Sequence, residues 1–492
     1  MGRLFFANAF LSLLLAACSD ELVLQAATAD YQHSSEGKGV GSTPRAPAIP
    51  AADASGGAPT APIATNGAEN PGQAGLVGKS ATREGRDFVR WARLLYQVAA
   101  CGGDDPVPEG FDSRVVANHC RILGQKMERF RQRWLRVAAQ YLAKIVPATV
   151  PRVVVYPFGG GDLMVALTTF PDATELTTLS LEPAGDVRSI ERIKRARLER
   201  SLAINRENLS RFFAVNHSKT TNLSLVARGD LPGELVFTMA ALVVHGYEPV
   251  SLRYFGLEPD GSIAYLDIPD DDAAAGNDID NSGEALKGHA ASGVGDSGLA
   301  AGSKERIKAA RARFNNVEMA FRLRGAPDGT PVRVLRHIAA NLDNVHLEKD
   351  PSVVRYLERR GRVAAMTKAA SYLLWWGEFS TVREYLLANM EWMVSDSTGI
   401  PPVWAKTAGF EQDTYGAFNG PFLPAGKWQT EQFRRLWRAN SKTEMPFMFG
   451  YPDVIGNPHM LVTRRSQASA SGSRSDTGGN PETRQSNAGG KQ

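Results

Sequence analysis

This chain is poor in the residues that most often announce a chemistry. Its 492 residues include three cysteines and eight histidines. His337 and His346 stand nine positions apart, His217 and His245 stand alone, and neither His-Glu-x-x-His nor Cys-x-x-Cys occurs. No metal site is expected, because such a site needs several ligands brought onto one frame. There is no Gly-x-Ser-x-Gly elbow and no phosphate-binding P-loop, so a hydrolase or triphosphatase of those designs has no support. Charge of one sign is also lacking, with 56 basic against 52 acidic side chains and a net charge of +4. A nucleic-acid partner is not expected, since that binding requires a concentrated basic face. At 43% hydrophobic and 22% charged residues, the composition is that of a globular protein rather than a multi-span membrane protein, a collagen or a wholly disordered chain.

The first eighteen residues carry the most specific signal. Arg3 precedes an apolar run from Leu4 to Ala17, broken only by Asn8 and Ser12, and the run ends Leu15-Ala16-Ala17-Cys18. It is shorter than the roughly 20 residues of a spanning helix but fits a secretory h-region. Leu-Ala-Ala-Cys resembles the lipobox of bacterial lipoproteins. That resemblance implies a signal peptide over residues 1–17, cleavage before Cys18 and lipidation of Cys18, whose nucleophilic sulfur carries the diacyl group. Ser19 in place of Asp implies outer-membrane rather than inner-membrane retention. More than one acyl chain gives firm anchoring. The plainer alternative is an ordinary signal peptide beside a chance cysteine.

Residues 18–79 are rich in Ala, Pro, Gly, Ser and Thr with few aromatics, and predict a disordered tether that cannot bury enough apolar surface to offset ordering entropy. Residues 270–303 read as an acidic disordered insertion, and 466–492 as a polar tail. What is left is a helical hairpin over 80–150 and an α/β body over 151–465. In the hairpin, Leu123, Met127, Phe130, Trp134, Val137 and Tyr141 fall at helical spacing. Cys101 and Cys120 stand between its helices, and in an oxidising compartment they predict a disulfide. Two free thiols or a metal pair with His119 is the alternative.

The body predicts a mixed α/β fold with a βαβ start: a strand at Arg152–Tyr156, a turn, a helix at Leu163–Phe170 and a strand at Glu175–Leu181. A helix over Leu235–Val244, a strand over Glu248–Leu257 and a hairpin onto Ser262–Ile268 follow. Val317 to Leu323 alternates as a half-buried strand, whereas Val332–Leu342 fits either the helical or the strand period and is read as a strand. Asp350-Pro351 starts a helix that Gly361 ends. Helices are expected around Ala364–Trp376 and Ser380–Val394.

The most suggestive constellation is Tyr156-Pro157-Phe158-Gly159-Gly160-Gly161-Asp162 after the first strand, with Glu182 closing the second. A glycine turn lets backbone approach a ligand, and an acidic side chain there can accept from a ribose. In outline the arrangement is similar to nucleotide- or S-adenosylmethionine-binding Rossmann-like folds. It lacks Gly-x-Gly-x-x-Gly, however, and nucleotide cofactors are scarce outside the cytoplasm. The competing reading is a tight strand-to-helix turn in which Asp162 caps the helix, and no cofactor is expected. Asp162, Glu182, His217 and Asp230 are the catalytic candidates. Tyr156, Gly159, Gly160 and Gly161 are ligand-binding candidates, as are Trp404, Trp428 and Trp437 if their rings face solvent to stack sugars. Arg188 to Arg211 carries eight basic residues against three glutamates, and Lys304 to Arg313 is similarly basic. They either face anionic lipid or envelope polymer, or are solvated helix faces with internal ion pairs.

Two blocks, Tyr156-Pro157-Phe158-Gly159-Gly160-Gly161-Asp162 with Leu181-Glu182-Pro183-Ala184-Gly185, and Phe449-Gly450-Tyr451 with His459-Met460-Leu461-Val462, resemble a family of uncharacterised bacterial proteins, many of them lipoproteins. Ala369 to Leu374 belongs to the same resemblance. It implies one fold from Val153 to Leu461 and supplies no catalytic residue. The expected role is therefore binding or interaction at the outer membrane, with an envelope protein or polysaccharide as partner and the membrane reached through the lipid. A cofactor-independent envelope enzyme with its site at the Gly159 turn is one alternative, and a carbohydrate-binding module is the other.

Overall fold

The computed structural model describes residues 85–216, 219–270, 310–396, 398–418, 427–440, 443–450 and 458–466. The signal peptide, Cys18, the tether, all but the first residue of the acidic insertion, His217 and nearly all of the tail lie outside the described residues.

The chain enters through two helices. Helix α1 (Val89–Val98) buries Trp91, Ala92, Leu95, Tyr96 and Val98. Helix α2 (Ser113–Phe130) begins at Asp112, whose carboxylate accepts from the amides of Arg114 and Val115, the usual relief for unpaired donors at a helix start. A five-residue π-helical turn, Arg131–Leu135, carries α2 into α3 (Arg136–Leu142). That turn shifts the apolar stripe. Leu123, Met127, Phe130 and Trp134 are buried as expected, but Ala138 and Leu142 then take the inner face, and Val137 and Tyr141 rotate to half-buried positions. The wider turn adds a residue to the helical period, which strict 3-4 spacing cannot anticipate. Cys101 and Cys120 are bridged, with their Cα atoms 5.2 Å apart.

The body is a ten-stranded sheet. Its strands are β1 (Val153–Pro157), β2 (Glu175–Ser180), β3 (Tyr247–Leu257), β4 (Ile263–Tyr265), β5 (Asn316–Leu323), β6 (Arg333–Ala339), β7 (Val363–Thr367), β8 (Met390–Ser395), β9 (Phe410–Gly416) and β10 (His459–Arg465). They lie in the order β4-β3-β5-β6-β2-β1-β7-β8-β10-β9. The central run β6-β2-β1-β7-β8 is parallel, and β4-β3-β5 and β10-β9 add antiparallel wings. Strand order therefore reverses between β1 and β7, as in doubly wound sheets, whose ligands sit beyond the carboxyl ends of the strands at such a point.

The remaining helices are α4 (Leu163–Thr169), α5 (Ser189–Arg192), α6 (Arg195–Val215), α7 (Thr220–Arg228), α8 (Gly233–His245), α9 (Asn344–Lys349), α10 (Ser352–Glu358), α11 (Ser380–Asn389), α12 (Pro402–Thr407) and α13 (Lys427–Ala439). Alternate residues of the central strands feed two cores. Val154, Tyr156, Ala364, Met366, Trp392 and Val394 pack with α1–α4 and α6–α8. Val155, Ala365 and Met393 pack with α9–α12. Hairpin and body thus share one apolar layer.

Two expected helices are corrected. Ala364–Trp376 is strand β7 followed by 3-10 turns at Ser371–Trp375 and Gly377–Phe379, and Ser380–Val394 is helix α11 followed by strand β8. Strand β7 is buried at every position, and a strand covered on both faces reads as a continuous apolar run without alternation. Its alanines favour helix locally, but pairing with β1 and β8 overrides that preference.

Candidate functional site

The glycine turn is pressed against its own strands. A Cβ at Gly159 would lie 2.3 Å from the Tyr156 ring, and one at Gly160 would lie 2.2 Å from the Ser180 hydroxyl. Phe158 and Gly161 adopt positive φ values of 63° and 68° to make the reversal. The Gly159 amide donates to the Leu179 carbonyl at 2.9 Å, and the Asp162 amide to the Gly159 carbonyl at 3.3 Å. Asp162 makes no side-chain cap to α4, contrary to the capping expectation. Its carboxylate points inward, accepting from the Tyr156 hydroxyl at 2.6 Å and standing 3.4 Å from the Lys368 ammonium.

Lys368 follows β7 directly and is 1% exposed. It donates to the Asn216 carbonyl at the left-handed end of α6. The Phe449 and Trp134 rings stand 5.3 and 6.0 Å from its nitrogen. Burial pushes the Asp162 carboxyl above its ordinary range, and the nearby Lys368 charge recovers only part of that shift. Burial likewise pulls Lys368 down against the attraction of Asp162. Both partners are thus driven toward their neutral forms.

A second set lies beside the turn. Glu234, in the first turn of α8, is 2% exposed, and burial raises its carboxyl despite His337 nearby. His337 of β6 donates from Nε2 to the Glu182 carbonyl at 2.8 Å. Nδ1 faces the Thr178 hydroxyl at 3.1 Å and the Glu234 carboxyl at 3.5 Å. At the end of β8, Asp396 accepts from the Ala369 amide at 2.8 Å and from the Ser371 hydroxyl. Burial raises its carboxyl too. A Cβ at Gly450 would lie 2.4 Å from that of Asp396. The blocks Tyr156–Asp162, Ala369–Leu374 and Phe449-Gly450 therefore meet at one edge of the sheet.

Other candidates fall elsewhere. Glu182 is half-buried on the rim of the turn. Asp230 pairs with Arg197 at 2.8 Å. Trp437 is buried with Phe418 and Phe433, so it offers no face to a sugar, and the Trp404 ring is covered by Arg383 at 3.8 Å. The Trp428 side chain lies outside the described residues. Much of the basic stretch is consumed internally: Arg188 is buried against Asp186, Arg192 pairs with Asp186, and Arg211 pairs with Glu207. Cys101, His119 and Cys120 form the one metal-like group among the described residues, but the two sulfurs are bonded to each other. No described helix is long and apolar enough to cross a membrane.

Sequence reasoning missed Lys368, Asp396, Glu234 and His337. A usable signal was present for the first two, since each is a charged residue that directly ends an apolar strand in the run Met366-Thr367-Lys368 or Val394-Ser395-Asp396. A phosphate-bearing nucleotide, the common guest of a glycine turn in a doubly wound sheet, does not fit here. The Gly161 amide faces the Glu234 carboxyl, the Gly159 and Asp162 amides are spent inside the turn, and Asp162, Glu182 and Glu234 surround it. No family model, curated protein or solved structure matches this chain.

Proposed function

We propose that this chain is a lipid-anchored protein of the outer membrane whose α/β body binds a small polar ligand at the carboxyl edge of its parallel strands. One observation carries the site: Tyr156 and Asp162, Glu234, His337, Lys368 and Asp396 arrive there from five separate segments, and all are buried. Burying ionisable groups whose protonation is pushed toward neutrality costs stability, and such groups concentrate where ligands bind or protons move. The Leu15-Ala16-Ala17-Cys18 motif supports the anchor. A second reading, a cofactor-independent enzyme at the same edge, is favoured by the Asp162–Lys368 pair, because two groups near their neutral forms exchange protons readily.

Replacing Asp162 by Leu and Lys368 by Met together tests the site. The double variant should fold with a loss of about 1–3 kcal/mol, since apolar substitutes for a buried pair are often neutral but these leave the Tyr156 hydroxyl and the Asn216 carbonyl without their partners. It should nevertheless fail to complement a strain lacking the chain. Full complementation by the folded variant would remove the site from consideration. Cys18→Ala should release the protein from the membrane fraction and abolish labelling by a fatty-acid analogue, and retention of both would refute the anchor.

A further inference from the structure

We infer that Lys368 and Asn216 join through a self-formed isopeptide bond between Nζ and Cγ, with Asp162 as the group that moves the proton. The three come from separate segments: Lys368 follows β7, Asn216 caps α6 and Asp162 leads into α4. All are buried, Asn216 being 3% exposed. Nζ lies 3.4 Å from Asn216 Oδ1, which is one carbonyl bond from Cγ, and 3.4 Å from Asp162 Oδ2. Both reacting partners belong to the chain, so the packed interior has to admit no ligand.

Burial supplies the reactivity. A lysine in water is an ammonium without a lone pair to attack with, and it meets an amide only by chance. Here burial pulls Lys368 toward the amine and Asp162 toward the acid, and fixed contact replaces encounter. The Phe449 and Trp134 rings stand over the nitrogen. Asp162 Oδ2 accepts from the Tyr156 hydroxyl, whereas among the described residues Oδ1 has no hydrogen-bond partner, which leaves it to exchange a proton.

In the reaction the Nζ lone pair bonds to Cγ while Asp162 protonates Oδ1. Asp162 next takes a proton from Nζ and gives one to the carboxamide nitrogen, whose bond to Cγ then breaks. As the carbonyl re-forms, the proton on Oδ1 returns to Asp162. One ammonia leaves and no oxidant or other reagent enters. An acylated Lys368 no longer exchanges protons, so a linked chain binds at the carboxyl edge rather than catalysing through the Asp162–Lys368 pair. The bond also holds positions 152 apart together in the unfolded chain, which adds to the stability that the Asp162→Leu/Lys368→Met variant loses.

Tryptic mapping of the purified full chain tests the bond. Residues 363–383 should appear joined to residues 212–219, as one branched peptide lighter than the two together by one ammonia. Asn216→Gly suits the left-handed φ of 52° and keeps the backbone carbonyl that Lys368 contacts, so it removes the carboxamide alone. It should yield separate peptides and melt about 5 °C below the parent, a drop that a merely structural asparagine at this cap would not give. Asp162→Asn should also leave the peptides separate, and a branched peptide in that variant would remove Asp162 from the reaction. Separate peptides in the parent, or a branch from Lys368 to the peptide that holds Asp162, would overturn the inference. If the parent is unlinked while the Asp162/Lys368 double variant still loses complementation, the bond falls and the carboxyl-edge site stands.

Discussion

The sheet carries two charge networks, one half-buried and one buried, and they are built to opposite rules. Near the amino ends, Arg336 of β6 lies 2.8 Å from both Glu175 of β2 and Glu318 of β5. Arg360 pairs with Glu175 at 2.8 Å, and its guanidinium lies 4.6 Å from the Tyr356 ring centre. Burial pushes Glu175 up, but Arg336 and Arg360 outweigh it and hold the carboxyl below its ordinary range. Burial likewise pulls Arg336 down, and Tyr356, Glu175 and Glu318 outweigh that pull. At the carboxyl ends burial wins instead, and Asp162, Glu234 and Asp396 rise while Lys368 falls. The first network stabilises charges and fastens strands together. The second holds ionisable groups away from their preferred states, as burial without full compensation does.

Arg336→Met should break this contrast most severely. Removing the shared cation leaves Glu175 and Glu318 across β2, β6 and β5 with too little compensation, at a cost of about 3–5 kcal/mol. The variant's urea midpoint should fall with no change in slope, as expected for lost stability without a change in the surface exposed on unfolding. If Arg336→Met unfolds like the parent while the Asp162→Leu/Lys368→Met variant loses more than about 3 kcal/mol, the two networks have exchanged roles.

How much of this was legible beforehand depended on periodicity. Val317 to Leu323 alternates because β5 has one half-exposed face, and β1, α4 and β2 are separated by an evident glycine turn, so these elements follow directly from the sequence. Strands β7 and β8 do not, because sandwiching between two helical layers removes alternation. The candidate site was half visible for the same reason. Tyr156, Gly159, Gly160, Gly161, Asp162 and Glu182 sit together in one βαβ unit. Lys368, Glu234, His337 and Asp396 join them only through pairings that bring Val154 beside Ala364 and Thr178 beside His337. Such long-range registers leave no local trace.

A smaller effect sharpens the comparison at the carboxyl edge, where the turn is held by close packing. Gly160→Ala should cost about 1–3 kcal/mol, the usual range for overpacking, because its Cβ would meet the Ser180 side chain at 2.2 Å. Adding Ser180→Gly should restore most of the loss in thermal unfolding. If the double variant stays as unstable as Gly160→Ala alone, the backbone conformation rather than Ser180 sets the requirement for glycine.

The finest test uses two matched substitutions of expected opposite sign, each of about 1 kcal/mol, the usual net value of a hydrogen bond. Glu175→Gln removes a charge that its surroundings favour. With the folded carboxyl held below its unfolded value, the parent's advantage is fully present above the unfolded pKa and disappears as pH falls through the folded pKa. Glu175→Gln should therefore be less stable than the parent at neutral pH, with a deficit that closes in acid. Glu234→Gln removes a charge that burial disfavours. The folded carboxyl is raised, so the fold binds its proton at a pH where the unfolded chain has released it, and the parent gains stability as pH falls from the folded toward the unfolded pKa. A glutamine oxygen can still accept from the Gly161 amide, and the amide carries no charge for burial to penalise. Glu234→Gln should thus equal or exceed the parent at neutral pH and lose that margin in acid. Differences from the parent that change in the same direction for both variants, followed from pH 7 to below the ordinary carboxyl range, would show that burial does not govern the carboxyl edge, and the contrast between the two networks would fail.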